Sequence, residues 1–113
     1  MPFINVKTNI SVSDEKKVQV KTAMGKAITA IPGKTEAWLM VGIEPSHSLY
    51  FKGTDEPCAM VDVDILGTAK SSDLSEVTAE ICNALQSILE ISPSRIYVKY
   101  SSTADWGWNN GNF

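Results

Sequence analysis

The sequence predicts an α+β domain: two successive β-α-β repeats whose four strands form one mixed sheet, with both helices on the same face. Three observations lead there. Strand-like alternation opens the chain and returns near residue 60, each time followed by a helical rhythm of apolar residues. Each helical stretch is closed by a proline signal, and another apolar strand follows each. Right-handed β-α-β units put both helices on one side of a shared sheet, and the repeat gives the fold an internal pseudo-twofold axis.

From Phe3 to Thr8, Ile4 and Val6 fall on one face and Asn5 and Lys7 on the other, the period of a half-buried strand. Ser11 and Ser13 offer N-caps, and Asp14 and Glu15 place acids in a first helical turn. Val20, Ala23, Met24, Ala27, Ile28 and Ile31 continue as an amphipathic helix that Pro32 and Gly33 stop. Trp38 to Ile43 reads as a short buried strand, Glu44 to Ser48 as a loop, and Ser48 to Phe51 as a brief edge strand.

Cys58 to Leu66 alternates again, with Ala59, Val61, Val63 and Ile65 together. Ser72 or Asp73 can cap a second helix whose stripe is Leu74, Val77, Ile81, Leu85 and Ile88. Pro93 ends it. Arg95 to Tyr100 is then a strand with Ile96, Val98 and Tyr100 on one face.

The 113 residues, 43% hydrophobic and 20% charged, suit a single folded domain over 1–113 that builds one core without disulfides or metal. A net charge of −3 and scattered basic residues give no footprint for nucleic acid. No apolar run reaches membrane-spanning length and no signal sequence opens the chain, so the cytosol is the expected compartment. Cys58, Cys82 and the lone His47 are too few for a disulfide framework or a zinc site, and no cofactor is expected.

The face of the sheet that the helices leave open would carry Asn5, Lys7, Asp62, Asp64, Arg95, Tyr97 and Lys99 beside apolar side chains. That is too apolar for a fully solvated face and too charged for a dry core. Association with further copies around a wet, charge-paired interior satisfies both constraints.

Met1-Pro2 opens directly into a strand, and Gly33-Lys34 follows the first helix. Phe51-Lys52-Gly53-Thr54-Asp55-Glu56-Pro57-Cys58-Ala59 precedes the central strand, and Gly67 follows it. Ile91-Ser92-Pro93-Ser94-Arg95-Ile96-Tyr97 joins the second helix to the last strand, and Gly107-Trp108-Asn109-Asn110-Gly111-Asn112-Phe113 closes the chain. With these residues the sequence resembles the macrophage migration inhibitory factor and D-dopachrome tautomerase family over its whole length. The resemblance implies a homotrimer with active sites between subunits. It also implies keto–enol tautomerisation with the amine of Pro2, freed by removal of Met1, as the base. Three departures stand out. Lys52 replaces a glycine, the second cysteine of a Cys-x-x-Cys is Val61, and Lys99 replaces an asparagine.

An α-amino group titrates near neutrality, about 7.7–8.0, and burial or a nearby lysine lowers it toward the working pH of a general base. Otherwise Pro2 merely starts an edge strand. By the resemblance, Lys34 attracts a substrate carboxylate and depresses the amine's pKa; alone it reads as a solvated helix-end lysine. The resemblance has Leu66 offer its backbone to the ligand, while Ile65 reads as core packing beside it. Tyr97 would close the pocket from a neighbouring subunit, its hydroxyl donating to a substrate oxygen. Trp38, Trp106 and Phe113 would wall the pocket against an aromatic ring, or serve only as packing. Lys99 would add a second carboxylate contact or pair with Asp62 or Asp64.

The expected reaction is therefore cofactor-free tautomerisation of an aromatic α-keto acid such as phenylpyruvate. The alternative is a cytokine-like protein that binds a receptor and whose pocket is vestigial. The resemblance also implies release from cells by a route that needs no signal peptide.

Overall fold

A computed structural model describes residues 1–113. Its main elements are β1 (Pro2–Thr8), α1 (Asp14–Ala27), β2 (Met40–Glu44), β3 (Ala59–Leu66), α2 (Ser71–Leu89) and β4 (Ile96–Thr103). The order across the sheet is β2-β1-β3-β4. β1 and β2 are parallel, as are β3 and β4, and the two pairs meet antiparallel at β1–β3. The two predicted β-α-β units are thus joined at the centre of the mixed sheet. A short hairpin, β5 (Gly107–Trp108) and β6 (Gly111–Asn112), closes the chain.

One apolar cluster lies between sheet and helices. Ile4, Val6, Val61, Val63, Ile65 and Ile96 enter it from the strands, Val20, Met24 and Ala27 from α1, and Val77, Ile81, Leu85 and Leu89 from α2. Sheet residues at alternate positions face away from both helices, as a period of two requires. Within α2 the buried residue in the last turn is Leu89, with Ile88 only partly covered. No helix is long and apolar enough to cross a membrane.

Ser13 caps α1, its Oγ accepting from the Lys16 N–H at 3.2 Å. The second helix begins earlier than Ser72 or Asp73 predicted: Lys70 stands at the cap and supplies no side-chain bond. The second strand is shorter than expected. Trp38 ends a one-turn 3-10 segment, Glu36–Trp38, and β2 runs along the sheet edge rather than through its interior.

Ser48 to Phe51 is not a strand. Phe51 and Thr54 instead exchange hydrogen bonds of 2.9 and 3.1 Å across Lys52 and Gly53, whose φ angles of 52° and 78° make a primed turn. Arg95 leaves the open face as well. It ends a second 3-10 segment, Pro93–Arg95, and turns its guanidinium onto the 51–57 loop.

Candidate active site

The register of the sheet assembles the site at the start of β1. Pro2 pairs with Ile65 and Phe3 with Asp64, while Asp64 also faces Ser101 of β4. The ends of β3 and β4 therefore lie beside the beginning of β1. Above them sits an open cavity of about 830 Å³, within the range of small-molecule sites. Met1, Pro2 and Phe3 form one side; Ala37, Trp38, Leu39 and Met40 form another. Asp64, Ser101, Ser102 and Thr103 contribute from the strands, and Trp106, Gly107 and Trp108 from the tail.

The tail reaches the cavity because the Asn109-Asn110 turn has both residues left-handed, at φ 52° and 70°, which folds the hairpin tightly. The ring of Trp108 meets Trp38 edge-on at 5.1 Å and stacks on Phe113 at 6.1 Å. Trp38 and Trp106 line the cavity. Phe113 supports the wall through Trp108 without lining the cavity itself.

At the rim, Lys34 donates from Nζ to the Leu66 carbonyl at 2.8 Å, which fixes its ammonium near the chain terminus. Leu66 in turn donates its N–H to the Met1 carbonyl at 3.0 Å. Burial, and then the charge and hydrogen bonding of Lys34, hold the Met1 amine below its ordinary pKa. Both effects disfavour the protonated form, because an ammonium loses hydration and faces a second cation. Ile65 keeps its side chain in the core at 1% exposure, so only its backbone borders Pro2.

Tyr97 and Lys99 lie elsewhere. Tyr97 is opposite Met60, five residues along β3 from the partner of Pro2, or about 17 Å away. Lys99 is opposite Asp62 and ion-pairs with it at 3.2 Å, which matches one of the two partners expected for it. Neither side chain reaches the cavity of its own chain.

Asp64, Met40, the 101–103 segment and Trp108 were not identified by sequence as residues of the site. The alternation of β3 and β4 shows which face each occupies, but only the register shows that they flank Pro2. No three His, Cys, Asp or Glu side chains converge where they could hold a metal ion.

Two β-α-β units joined antiparallel, with the first strand opening onto an apolar cavity flanked by a lysine, define a protein of the tautomerase superfamily. The family model for macrophage migration inhibitory factor (MIF) matches residues 1–113, and the chain belongs to that family. It is 28% identical to the mouse macrophage migration inhibitory factor, covering all of this chain and 99% of the mouse protein. Among solved structures it is similar to Leishmania major MIF2, at 32% identity and TM-score 0.94, covering all of this chain and 97% of the other. The homologue from Prochlorococcus marinus is 25% identical with a TM-score of 0.89, each chain covered to 98%.

Proposed function

We propose that this protein is a keto–enol tautomerase for aromatic α-keto acids such as phenylpyruvate, working as a homotrimer with Pro2 as its base. The observation that carries the reading is the terminal amine, held below its ordinary pKa by burial and by Lys34 at the edge of an apolar cavity. Removal of Met1 moves that amine to Pro2. It also takes away the Met1 carbonyl that occupies the Leu66 N–H, leaving a backbone donor beside the Lys34 cation. A substrate carboxylate suits that pair, and its aromatic ring suits the Trp38, Trp106 and Trp108 wall.

In the forward direction the neutral nitrogen of Pro2 takes a proton from C3. The C–H electrons become the C2–C3 double bond, and the carbonyl pair moves to the oxygen, which takes a proton from water. The Pro2 ammonium then gives its proton back to the solvent, so the base is regenerated and no net proton is consumed. Hydrogen bonds to the developing enolate lower the barrier, and positioned base catalysis of this kind contributes about 10²–10⁴-fold. The distance of Tyr97 from its own cavity supports a shared site, with the hydroxyl arriving from a neighbouring subunit.

Intact mass should show Met1 absent, and an enol–keto absorbance assay should show turnover of phenylpyruvate that Pro2→Gly loses. Light scattering should give a trimer. A useful probe is 2-oxo-3-pentynoate, which inactivated a protein that shares this fold at 19% identity. Its triple bond is conjugated to the ketone, so a neutral amine adds to it, and the adduct should map to Pro2. Full activity in Pro2→Gly, or a stable monomer that turns over substrate normally, would refute this function.

A further inference from the structure

Residues 49–58 form a loop in which Cys58 alone is buried, and Lys52 to Pro57 are all exposed. Apolar burial therefore gives this loop little reason to keep one shape. Polar side chains hold it instead. Arg95 donates from Nε to the Pro57 carbonyl (2.9 Å) and from Nη1 to that of Phe51 (3.1 Å). Its Nη2 donates to the carbonyls of Thr54 (3.2 Å) and Glu56 (3.0 Å). Asn9 grips the same loop, donating to the carbonyls of Leu49, Asp55 and Glu56 and accepting from the Cys58 N–H.

Within the loop, Lys52 is held in the left-handed region at φ 52°, a conformation that costs a non-glycine residue on the order of 1 kcal/mol. Such a conformation persists only where its surroundings over-determine it. What the restrained turn presents is the ring of Phe51. That ring lies 5.3 Å from the Arg95 guanidinium and meets Tyr97 edge-on, centroids 4.8 Å apart and planes at 69°. Tyr97 itself is 61% exposed. Its side chain would otherwise be free to change rotamer.

We propose that Arg95, acting through the 51–54 turn and the Phe51 ring, is a positioning residue that fixes the Tyr97 hydroxyl for the neighbouring subunit's site. This inference rests on the tautomerase reading for its catalytic consequence, but its geometric content is separate. Prepositioning matters because an ångström of misplacement at a reacting centre can cost about 10²-fold in rate.

The test uses the trimeric protein with 3-fluorotyrosine at its three tyrosines, the Tyr97 signal being identified by its absence in Tyr97→Phe. Phe51→Leu keeps an apolar side chain in the loop; Arg95→Lys keeps the charge but cannot fork to four carbonyls. Each should move the Tyr97 fluorine resonance toward that of free fluorotyrosine while the Tyr50 and Tyr100 signals stay in place. Each should also lower kcat/KM by roughly 10- to 100-fold without slowing alkylation of Pro2 by 2-oxo-3-pentynoate. Adding Phe51→Leu to Tyr97→Phe should cost little further activity, since both act through one hydroxyl. An unmoved fluorine signal, or losses that multiply in the double variant, would overturn the proposal. A wild-type protein with no turnover would instead defeat the tautomerase reading, and the fluorine signal alone would then decide whether Arg95 holds Tyr97.

Discussion

Trp38 and Arg95 occupy matching places in the two β-α-β halves. Each is the last residue of a one-turn 3-10 segment between a helix and its parallel strand. The register confirms the match: Met40 lies opposite Phe3 in one half and Tyr97 opposite Met60 in the other, each two residues beyond the turn residue. In the first half the side chain at this place is a half-exposed indole facing an open cavity. In the second it is a guanidinium that draws the 51–57 loop down by four carbonyls. Pseudosymmetry therefore doubles the scaffold without doubling the site. One end of the sheet is left open for a ligand, and the other is filled by the chain's own backbone.

The largest effect expected at the open end comes from Met1. Protein that retains it should lose about 10²–10⁴-fold in kcat/KM, because the amine is displaced and the Leu66 N–H stays occupied. Paired mass spectrometry and turnover measurements on the two forms check this, and equal activity would contradict it. At the matching turns, Arg95→Met and Trp38→Ala should separate stability from binding. Arg95→Met releases four backbone carbonyls to solvent and should cost about 2 kcal/mol in denaturant unfolding. Trp38→Ala at a half-exposed position should cost less than about 1 kcal/mol yet raise KM about tenfold. The reverse pattern would mean that the two ends do not divide the work in this way.

Lys34→Gln tests the electrostatics of the open end. Lys34 lowers the terminal amine's pKa, second only to burial, so its loss should raise that pKa. The acid limb of the kcat/KM profile, which reports loss of the neutral base, should then move to higher pH; an unmoved limb counts against the pairing. The smallest effect is expected at Glu44. The Asn5 amide donates to it at 2.6 Å and is the chief cause of its lowered pKa. A carboxyl depressed in the folded state stabilises above its unfolded pKa, and that stabilisation fades as pH falls through the folded value. Asn5→Leu should bring the Glu44 pKa back toward the ordinary carboxylate range in a carbon-13 titration and reduce this acid dependence.

The elements that the sequence misjudged show where local pattern fails. Ser48 to Phe51 has strand-like residues, but side chains of Asn9 and Arg95 take up carbonyls of this loop, so no neighbouring strand is engaged. Trp38 looks like the start of a buried strand because it heads an apolar run, yet the chain needs one tight turn to reach the edge of β1. Among the candidate site residues, Pro2 and Lys34 stood out because each is chemically distinctive and falls in a family motif, whereas Trp38 and Trp106 stood out only as large aromatics that could equally be packing. Asp64 and Ser101 to Thr103 were not, because small and acidic strand residues look alike wherever they fall.

Sequence alone determined the two β-α-β units, the faces of strands and helices, and a terminal proline adjoining a strand. These follow from burial repeating every two or every three to four residues, a signal carried by near neighbours. Tertiary structure decided that β1 meets β3 antiparallel with Pro2 against Ile65, and that Lys34 reaches the Leu66 carbonyl. It also decided that Tyr97 stands at the far end from Pro2. Those outcomes depend on pairing between residues tens of positions apart, where one register among several buries the whole core, and local periodicity does not encode that choice.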